Sequence, residues 1–290
     1  MPNNIALFKK YIDLLDEVYK DAAKSSVLDI DGALVRAGAN ANEIIIPKMT
    51  LDGLADYDRN SGYVNGDVTL THETVKFNYD RGRKFNVDNM DNEETAGIAF
   101  GKLASAFIRE KVVPELDAFR FASYAGLDGV GKGAGNLYTG ETILEAILTA
   151  ANAMDEAEVP SDSRYLFITP TLHNFINVID SYKSKAAIER FAGIIDVPQS
   201  RFYTAIDLYD GVTDGEKTGG FAKNADAKNI NFMIIHKDAA IQFSKHTVNK
   251  IFSPAENQDA DAWQFCYRAY GLVDAYENKA AGIYVHSADA

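Results

Sequence analysis

A long amphipathic helix in the middle of the sequence constrains the fold more than any other feature. Asp91 and Glu94 have the spacing of a capping box, in which two side chains satisfy free N–H groups at a helix start. A helix over Asp91–Ala122 would be roughly 45 Å long, longer than most helices of globular domains. Pro114 lies inside it and cannot donate to the carbonyl of Glu110, which predicts a kink. Apolar residues recur every three or four positions, at Ala96, Phe100, Leu103, Phe107, Val112, Leu116 and Phe119.

The segment before this helix has the pattern of a β-hairpin. Turn residues cluster over Asp58–Gly66. Period-two alternation follows, which is typical of strands with one covered and one solvated face. The alternation changes parity between Leu70 and Val75, and this predicts a β-bulge within His72–Thr74. We therefore predict a long two-stranded hairpin over Gly53–Val87. Because an isolated hairpin is only marginally stable, it needs a surface to lie on. The alternating apolar residues are Val68, Leu70, Val75, Phe77 and Tyr79.

The residues before the hairpin predict an N-terminal helix, a connection and a short strand. Asn3 or Asn4 can cap a helix that ends near Lys24. Its apolar pattern is the same for a helix that packs on its own core and for an arm that packs on a neighbouring subunit. On the pattern alone, the first interpretation is favoured. Residues 25–41 have little regular pattern, and Ile44–Ile46, followed by Pro47, predict a short buried strand. The apolar stripe of the helix consists of Ile5, Phe8, Ile12, Leu15, Val18 and Ala22.

The second half of the sequence mixes helix and strand patterns and predicts an α+β protein. Thr139 is placed to cap a helix that ends near Glu156, and Thr169 and Pro170 are placed to start another. A further helix is predicted over Lys185–Ile195. The remaining apolar runs predict strands at Tyr165–Ile168, near Phe202, and at Ile230–Ile235, Ala240–Phe243, Asn249–Phe252, Trp263–Tyr276 and Ile283–His286.

Composition excludes several classes of function. The net charge is −13, whereas a protein that binds nucleic acid specifically needs a basic surface to neutralise phosphates. The densest basic cluster, Arg81, Arg83 and Lys84, is a short run in an acidic chain. No uncharged apolar stretch approaches the ~18 residues of a membrane span, and the first residues lack the pattern of a signal peptide. The single cysteine, Cys266, fits folding in a reducing compartment.

Nucleotide-binding and metal-binding motifs are incomplete. Gly126, Gly131 and Lys132 match the start of a phosphate-binding loop, but Gly133 replaces the Ser or Thr that would hold magnesium. A flexible connector is the better interpretation of this glycine-rich stretch. None of the histidines has the spacing of a metal site, and they are His72, His173, His236, His246 and His286.

The acidic stretches favour turns over ion sites. A pattern like that of a calcium loop lacks its turn glycine and its flanking helices, so a hairpin turn explains the same residues, Asp56, Asp58, Asn60 and Asp67. The acidic loop Asp207–Glu216 is likewise interpreted first as a solvated turn. No nucleophile elbow of a serine hydrolase is present, and Cys266 lies in a strand pattern between Phe265 and Tyr267. We therefore predict no catalytic residue, no metal and no cofactor.

Four segments carry a resemblance to a known family, and they are Tyr79–Gly97, Val112–Gly126, Val197–Gly211 and Asn257–Ser287. Together with the order of the parts, they resemble the major capsid proteins of tailed bacteriophages, in particular those of phages that infect Gram-positive bacteria. The resemblance implies the Johnson fold. In this α+β capsid fold an N-terminal arm, an extended β-hairpin loop and a long spine helix accompany a peripheral domain, into which a mixed axial domain is inserted.

The resemblance also implies a role for each part of the chain. The arm would tie adjacent subunits together, the hairpin loop would lie over a neighbouring subunit, and the axial domain would meet its copies around five- and six-fold axes. The implied boundaries are 1–36 for the arm, 37–52 for the first peripheral strand, 53–87 for the hairpin loop, 88–123 for the spine helix, 124–235 for the axial domain and 236–290 for the return strands.

The implied function is structural and not enzymatic. Subunits would assemble through pentamers and hexamers into an icosahedral shell that encloses double-stranded DNA without sequence-specific binding. Further partners would be a portal and scaffolding or decoration proteins, and the location would be the virion capsid, after synthesis in the host cytoplasm. No membrane is involved. The candidate subunit-interface residues are Phe8, Ile12, Leu15, Lys76, Arg81, Arg83 and Lys84.

Three details of this implication stay open. The basic cluster is as compatible with solvation, or with pairing to Asp80 and Asp88, as with an acidic patch on a neighbour. The arm is too short for a scaffolding segment that is cleaved off, so a separate scaffolding protein or none is expected. Lys76 and Lys84 lie in the loop region where some relatives form crosslinks, although no matching partner residue is evident.

Two other functions compete with the capsid interpretation. An encapsulin-type protein compartment would use the same kind of fold, and an enzyme cargo in place of DNA would distinguish it. A soluble α+β hydrolase would need clustered titratable residues in a cleft and a monomeric or small oligomeric state. The sequence offers no such cluster.

Overall fold

The computed structural model of the chain describes residues 23–29, 36–37, 43–94, 98–179 and 188–289. The strands are β1 (Arg36–Ala37), β2 (Glu43–Leu51), β3 (Val68–Lys76), β4 (Tyr79–Asp88), β5 (Gly131–Ala134), β6 (Arg164–Ile168), β7 (Gly193–Asp196), β8 (Ile206–Leu208), β9 (Phe221–Lys223), β10 (Ile230–His236), β11 (Ala240–Phe252), β12 (Ala262–Ala275) and β13 (Ile283–Ser287). The α-helices are α1 (Asn89–Glu94), α2 (Ile98–Phe107), α3 (Val113–Gly126), α4 (Gly140–Glu156) and α5 (Pro170–Val178). This mixture confirms the predicted α+β class.

Strands β2 and β3 form an antiparallel hairpin, and β1 pairs along the other edge of β2. Leu51 lies opposite Val68, and the pairing continues to the far end of both strands without a shift. The predicted bulge within His72–Thr74 is therefore wrong. The change of parity has a different cause, because side chains an odd number of positions apart point to opposite faces of a strand. Val75 is buried against the body of the protein, whereas Val68 and Leu70 are exposed on the other face.

The boundaries of the hairpin also differ from the prediction. Its two strands are β2 and β3, so the predicted pairing within Gly53–Val87 is wrong, and β4 instead pairs with β12 in a sheet of order β11-β12-β4. Alternation identifies a strand but does not identify its neighbour. The predicted short strand Ile44–Ile46 is part of the nine-residue β2, which Pro47 does not end. Among the described residues β1 pairs only with Ile44 and Ile45, so no described strand pairs with Pro47 on that edge of β2, where proline is tolerated.

The long helix is present in pieces. Asp88 accepts a hydrogen bond from the N–H of Met90, so the helical region begins at Asn89, two residues before the predicted cap at Asp91. A π-helical turn over Ile108–Val112 joins α2 directly to α3. This turn ends two residues before Pro114, whose missing N–H cannot continue the regular α-helical pattern. The structure thus has a π-helical turn next to Pro114, and the kink stays a prediction.

One face of this helix packs on the sheet that contains β4 and β12. The ring of Phe107 lies 4.8 Å from that of Phe85 and 5.9 Å from that of Tyr267, in edge-to-face contacts. Phe265 and Ile108 are buried in the same cluster. The described part of the apolar stripe, which includes Leu103, Phe107 and Leu116, is therefore the face that buries the helix against the sheet.

A second, five-stranded sheet of order β5-β13-β10-β6-β7 carries α4 and α5. Thr139 caps α4 as predicted, with its hydroxyl accepting from the N–H of Thr142. The glycine-rich stretch after α3 is not simply a flexible connector, because it forms β5 at the edge of this sheet. A Cβ atom at Gly131 would lie 2.4 Å from the ring of Tyr284, so glycine is needed for this close approach.

Two further predictions in this half are corrected. The predicted helix Lys185–Ile195 cannot extend to its end, because Gly193–Asp196 is β7, paired in parallel with β6; its start lies partly outside the described residues. No strand forms at Phe202 itself: its side chain is fully buried in the core, while Tyr203 makes an isolated bridge to Asn229. Buried apolar residues alone do not distinguish a strand from irregular chain in a core.

Candidate assembly interface

The outer half of the hairpin presents an apolar face that nothing in the described chain covers. Met49 lies directly opposite Leu70, and Leu51 lies directly opposite Val68, so the four side chains share one face. Their exposed fractions are 58%, 60%, 64% and 65%, respectively, for Met49, Leu70, Leu51 and Val68. We call these four residues the hairpin stripe. Contiguous exposed apolar side chains of this kind mark interaction surfaces.

The tip of the hairpin adds further apolar exposure. The rings of Tyr57 and Tyr63 contact each other edge to face at 4.9 Å, and Leu54 is fully exposed. The turn itself is held by Asp58, whose carboxylate accepts from the N–H of Asn60 at 2.8 Å. This hydrogen bond, with that from Ser61, lowers the pKa of Asp58. The carboxylate thus has a turn-forming role.

The possible cation loop at the tip finds no support. The carboxylate of Asp52 accepts from the N–H of Asp67 at 2.8 Å, and this bond closes the base of the turn. Across the described ranges, no group of three or more His, Cys, Asp and Glu side chains is arranged to hold a metal ion. The residues of the pattern, Asp56, Asp58, Asn60 and Asp67, are therefore interpreted as a hairpin turn.

Arg81, the first residue of the predicted basic cluster, is engaged within its own subunit. Its Nε donates to Oε1 of Glu115 at 2.8 Å, and its Nη2 donates to the carbonyl of Gly220 at 3.3 Å. The hydroxyl of Tyr79 donates to the same Oε1 at 3.3 Å. Burial, followed by the Glu115 charge, raises the pKa of Tyr79 well above its usual value, so the phenol stays neutral.

Arg83 holds a loop against the same strand. Its Nη2 donates to the carbonyl of Lys217 at 3.1 Å, within the loop that joins β8 to β9. The loop approaches the guanidinium closely, because a Cβ atom at Gly211 would lie 2.9 Å from Nη1 of Arg83. Gly211 also has a φ of 76°, which favours glycine. Arg81 and Arg83 thus border a cleft of about 720 Å³ between β4, the long helix and this loop.

The alternative pairing of the basic cluster with Asp80 is not observed. Asp80 instead accepts two hydrogen bonds from Arg268, at 2.8 and 2.7 Å, and this lowers its pKa. Lys84 is exposed on β4, opposite Cys266 on β12, and Lys76 is exposed at the end of β3. The structure therefore brings Arg81 and Arg83 to one cleft and leaves both lysines on the surface. Their role in subunit contacts stays a prediction.

The three candidates in the N-terminal helix, Phe8, Ile12 and Leu15, lie outside the described residues. The hairpin stripe, by contrast, was not among the predicted interface residues. A signal for it existed, because the change of parity marks the point where the apolar residues move to the other face. The bulge predicted from that change requires all apolar residues of a strand to face the same cover, whereas those of β3 lie on two faces.

The histidines and the cysteine form no catalytic arrangement in the described chain. His173 pairs with Asp196 at 2.7 Å near the surface, and the ring of His286 stacks on that of Phe232 at 4.9 Å. Cys266 is half-buried. None of the helices in the described ranges combines the length and apolarity of a membrane span.

Comparisons with known proteins connect this architecture to solved structures. The sequence matches no family model. A search of curated proteins finds no match either. A structure from Gordonia phage Cozz is similar at 13% identity and a TM-score of 0.58, covering 91% of this chain and 85% of that one. The capsid structure of the cyanophage P-SCSP1u has 13% identity and a TM-score of 0.54, with coverage of 88% and 85%. The chain has the Johnson fold.

The virus-like particle from Pyrococcus furiosus is a third similar structure, with 12% identity and a TM-score of 0.56, and the likeness covers 97% of this chain and 99% of that one. The similarity thus spans nearly whole chains on both sides. At such identities it establishes the fold, and the predicted Johnson fold is confirmed.

Proposed function

We propose that this chain is the major capsid protein of a tailed phage. Its copies assemble through pentamers and hexamers into an icosahedral shell that encloses double-stranded DNA. The shell is the virion capsid, and the subunits are made in the host cytoplasm. A portal and scaffolding or decoration proteins are its further partners. The Johnson fold, shared with the capsid structure of the cyanophage P-SCSP1u, supports this proposal, as does the uncovered hairpin.

The hairpin stripe is the observation that carries the proposal. Burying a large apolar side chain contributes about 1.5–3 kcal/mol, so four half-exposed ones favour association strongly. Among the described side chains of β3 beyond Val75, those of Thr74, Thr71, Leu70 and Val68 are exposed, so the body of the described chain does not cover the stripe. A second copy of the chain is the cover that a self-assembling subunit always has available.

The parts of the chain take the roles that the fold suggests. Residues 1–36 form the arm that ties subunits together, and the β2–β3 hairpin, residues 43–76, is the loop that lies on a neighbour. Residues 77–123 and 236–290 form the peripheral domain, and residues 124–235 form the axial domain at the five- and six-fold axes. The role is structural and not catalytic.

The two alternatives are not favoured by these findings. A soluble hydrolase would require a cleft with clustered catalytic groups, whereas the cleft beside Arg81 is bordered by a satisfied ion pair to Glu115. An encapsulin-type shell would use the same interfaces, and the contents of purified particles distinguish it, since packaged DNA indicates a capsid and an enzyme cargo a compartment.

A charge on the hairpin stripe tests the proposal. Leu70→Lys places an ammonium group on the apolar face, and Thr69→Lys places the same group on the opposite face of the same strand. We expect Leu70→Lys to abolish particles while the subunit keeps its melting temperature, and Thr69→Lys to assemble. Particle mass is measured by light scattering, and shape by electron microscopy. Normal assembly of Leu70→Lys would contradict the proposed role of the stripe.

A further inference from the structure

A buried polar network joins the start of the described chain to the rest of the protein. We call it the anchor cluster, and it comprises Ser25, Asp29, Asp117, Arg120, Arg201 and Gln242. Ser25, Asp117 and Gln242 have no exposed surface, and Arg120 is only 2% exposed. The cluster draws on the 23–29 segment, on α3, on the turn before β8 and on β11. Buried polar groups are usually hydrogen-bonded, and most groups of this cluster are, although Nε of Arg201 has no partner among the described residues.

The Asp117 carboxylate is the centre of the anchor cluster. Its Oδ1 accepts from the backbone N–H of Ser25 at 3.1 Å and from the Ser25 hydroxyl at 2.6 Å. Its Oδ2 accepts from the backbone N–H of Lys24 at 3.0 Å and from Nη1 of Arg201 at 3.0 Å. All acceptor positions of this buried charge are therefore used, two of them by the backbone of the 23–29 segment.

Ser25 is held equally firmly from its other side. Nη1 of Arg120 donates to the Ser25 hydroxyl at 2.8 Å, and Nε2 of Gln242 donates to the Ser25 carbonyl at 2.8 Å. Nη2 of Arg120 and Nε2 of Gln242 also donate to Oδ1 of Asp29, at 3.1 and 2.7 Å. The backbone N–H, the carbonyl and the hydroxyl of Ser25 are thus all engaged. A shift of one residue along the chain would move Asp29 away from Arg120 and Gln242.

Apolar contacts fix the same segment at both ends. Ala23 belongs to the core between the long helix and the β4–β12 sheet, whereas Leu28, fully buried, belongs to the core beneath the five-stranded sheet. The segment therefore bridges two cores. Buried ion pairs contribute little net stability, but they can select one arrangement over its alternatives. The anchor cluster is therefore better suited to fixing the position of the 23–29 segment than to stabilising the fold.

We infer that the anchor cluster positions the N-terminal arm for assembly: it fixes the position and register of residues 23–29, the segment to which residues 1–22 are joined. This inference rests on the proposed function, in which the arm contacts a neighbouring copy. An arm that leaves from one fixed point reaches the same site on every neighbour. A loosened segment would spread the arm over many directions, and the entropy of ordering it would oppose each subunit contact.

Matched variants separate positioning from simple stability. Ser25→Ala removes the hydroxyl that links Asp117 to Arg120, and Ser26→Ala removes a neighbouring hydroxyl that donates to the carbonyl of Ala23. Gly131→Ala destabilises the subunit in a different region, as argued from the Tyr284 contact. Ser25→Ala is compared with Gly131→Ala at temperatures where both variants have the same folded fraction. Gln242→Met, which keeps the side-chain volume, serves as the second anchor variant if Ser25→Ala does not fold.

We expect Ser25→Ala to lower the yield of closed particles about tenfold relative to Gly131→Ala, because it loses hydrogen bonds to charged groups. The yield from Ser26→Ala should match that of the wild type. In a chain that already carries Phe8→Ala, adding Ser25→Ala should lower the yield of closed particles much less, because both substitutions act through the arm. Equal yields from Ser25→Ala and Gly131→Ala at matched folded fraction, or fully additive losses with Phe8→Ala, would overturn the inference. Absence of particles from the wild-type chain would instead contradict the proposed function.

Discussion

Asn78 and Val273 exchange two hydrogen bonds, one from the Asn78 amide to the Val273 carbonyl and one from the Val273 N–H to the Asn78 side-chain oxygen, at 2.8 and 3.1 Å. Asn78 stands between β3 and β4, so one side chain holds the point where the free hairpin joins the body. Asn78→Ala should lower the free energy of unfolding by about 1–2 kcal/mol, because the N–H and carbonyl of the buried Val273 lose their partners. Urea unfolding measures this. The control Asn86→Ala removes only an exposed bond to Gln264, and an equal loss there would contradict the argument.

Gly131→Ala should destabilise the subunit by about 1–3 kcal/mol, because the new methyl group collides with the ring of Tyr284 in a packed sheet. Gly126→Ala is the matched control, since nothing lies within 4 Å of a Cβ atom there. Alanine also favours the last turn of α3, so this control should be neutral or slightly stabilising. Thermal unfolding of the two variants checks the prediction, and similar melting temperatures would show that the sheet edge yields to the methyl group.

The subunit should lose stability in mild acid because of His286. Burial lowers the pKa of this imidazole below its ordinary value of 6.5. The folded state therefore binds fewer protons than the unfolded state, so the stability it contributes is complete above pH 6.5 and falls as pH drops toward the lowered pKa. The amide nitrogen of Asn231, 3.1 Å from Nδ1, can only donate, so protonation of Nδ1 also breaks this bond.

Urea midpoints at about pH 7.5 and about pH 5.5 test this prediction. The loss of stability between the two should be smaller in His286→Gln than in the wild type. His246→Gln, which changes an exposed histidine of β11, should keep the full loss. An unchanged loss in His286→Gln would assign the acid sensitivity to other groups.

Arg81 and Glu115 should be energetically coupled. The ion pair joins β4 to α3 and is mostly shielded, with exposed fractions of 24% and 12% for the two side chains. In a double-mutant cycle of Arg81→Met and Glu115→Gln, we expect a coupling free energy of about 1–2 kcal/mol, discounted for the remaining exposure. Arg268→Met with Asp80→Asn, a more exposed pair, serves as comparison and should show less. A coupling free energy near zero for Arg81 and Glu115 would show that their ion pair does not hold β4 to α3.

Much of the fold was predictable because it depends on local patterns. The apolar stripe through Leu103 and Phe107, the cap at Thr139 and the helix start at Pro170 are all set by residues within one or two turns. The partner of β4 was not predictable in this way. β4 and β12 are far apart in the sequence, and period-two alternation contains no information on which strand lies alongside.

The candidate interface was less predictable than the fold, for a related reason. The predicted candidates included four charged residues, yet two of them, Arg81 and Arg83, bind groups of their own chain, which only tertiary structure reveals. The hairpin stripe looked like the covered face of an ordinary strand. Apolar residues that a partner would cover have the same sequence pattern as apolar residues buried within the chain. Only their exposure in the folded chain distinguishes the two.

The solution mass of the purified chain, measured by light scattering over a concentration series, tests the central claim most directly. We predict discrete pentamers and hexamers or closed particles in the megadalton range, with electron microscopy showing shells of uniform size. A chain that stays monomeric at every concentration, and also when it is expressed together with its scaffolding protein, would contradict the proposal that it builds a capsid.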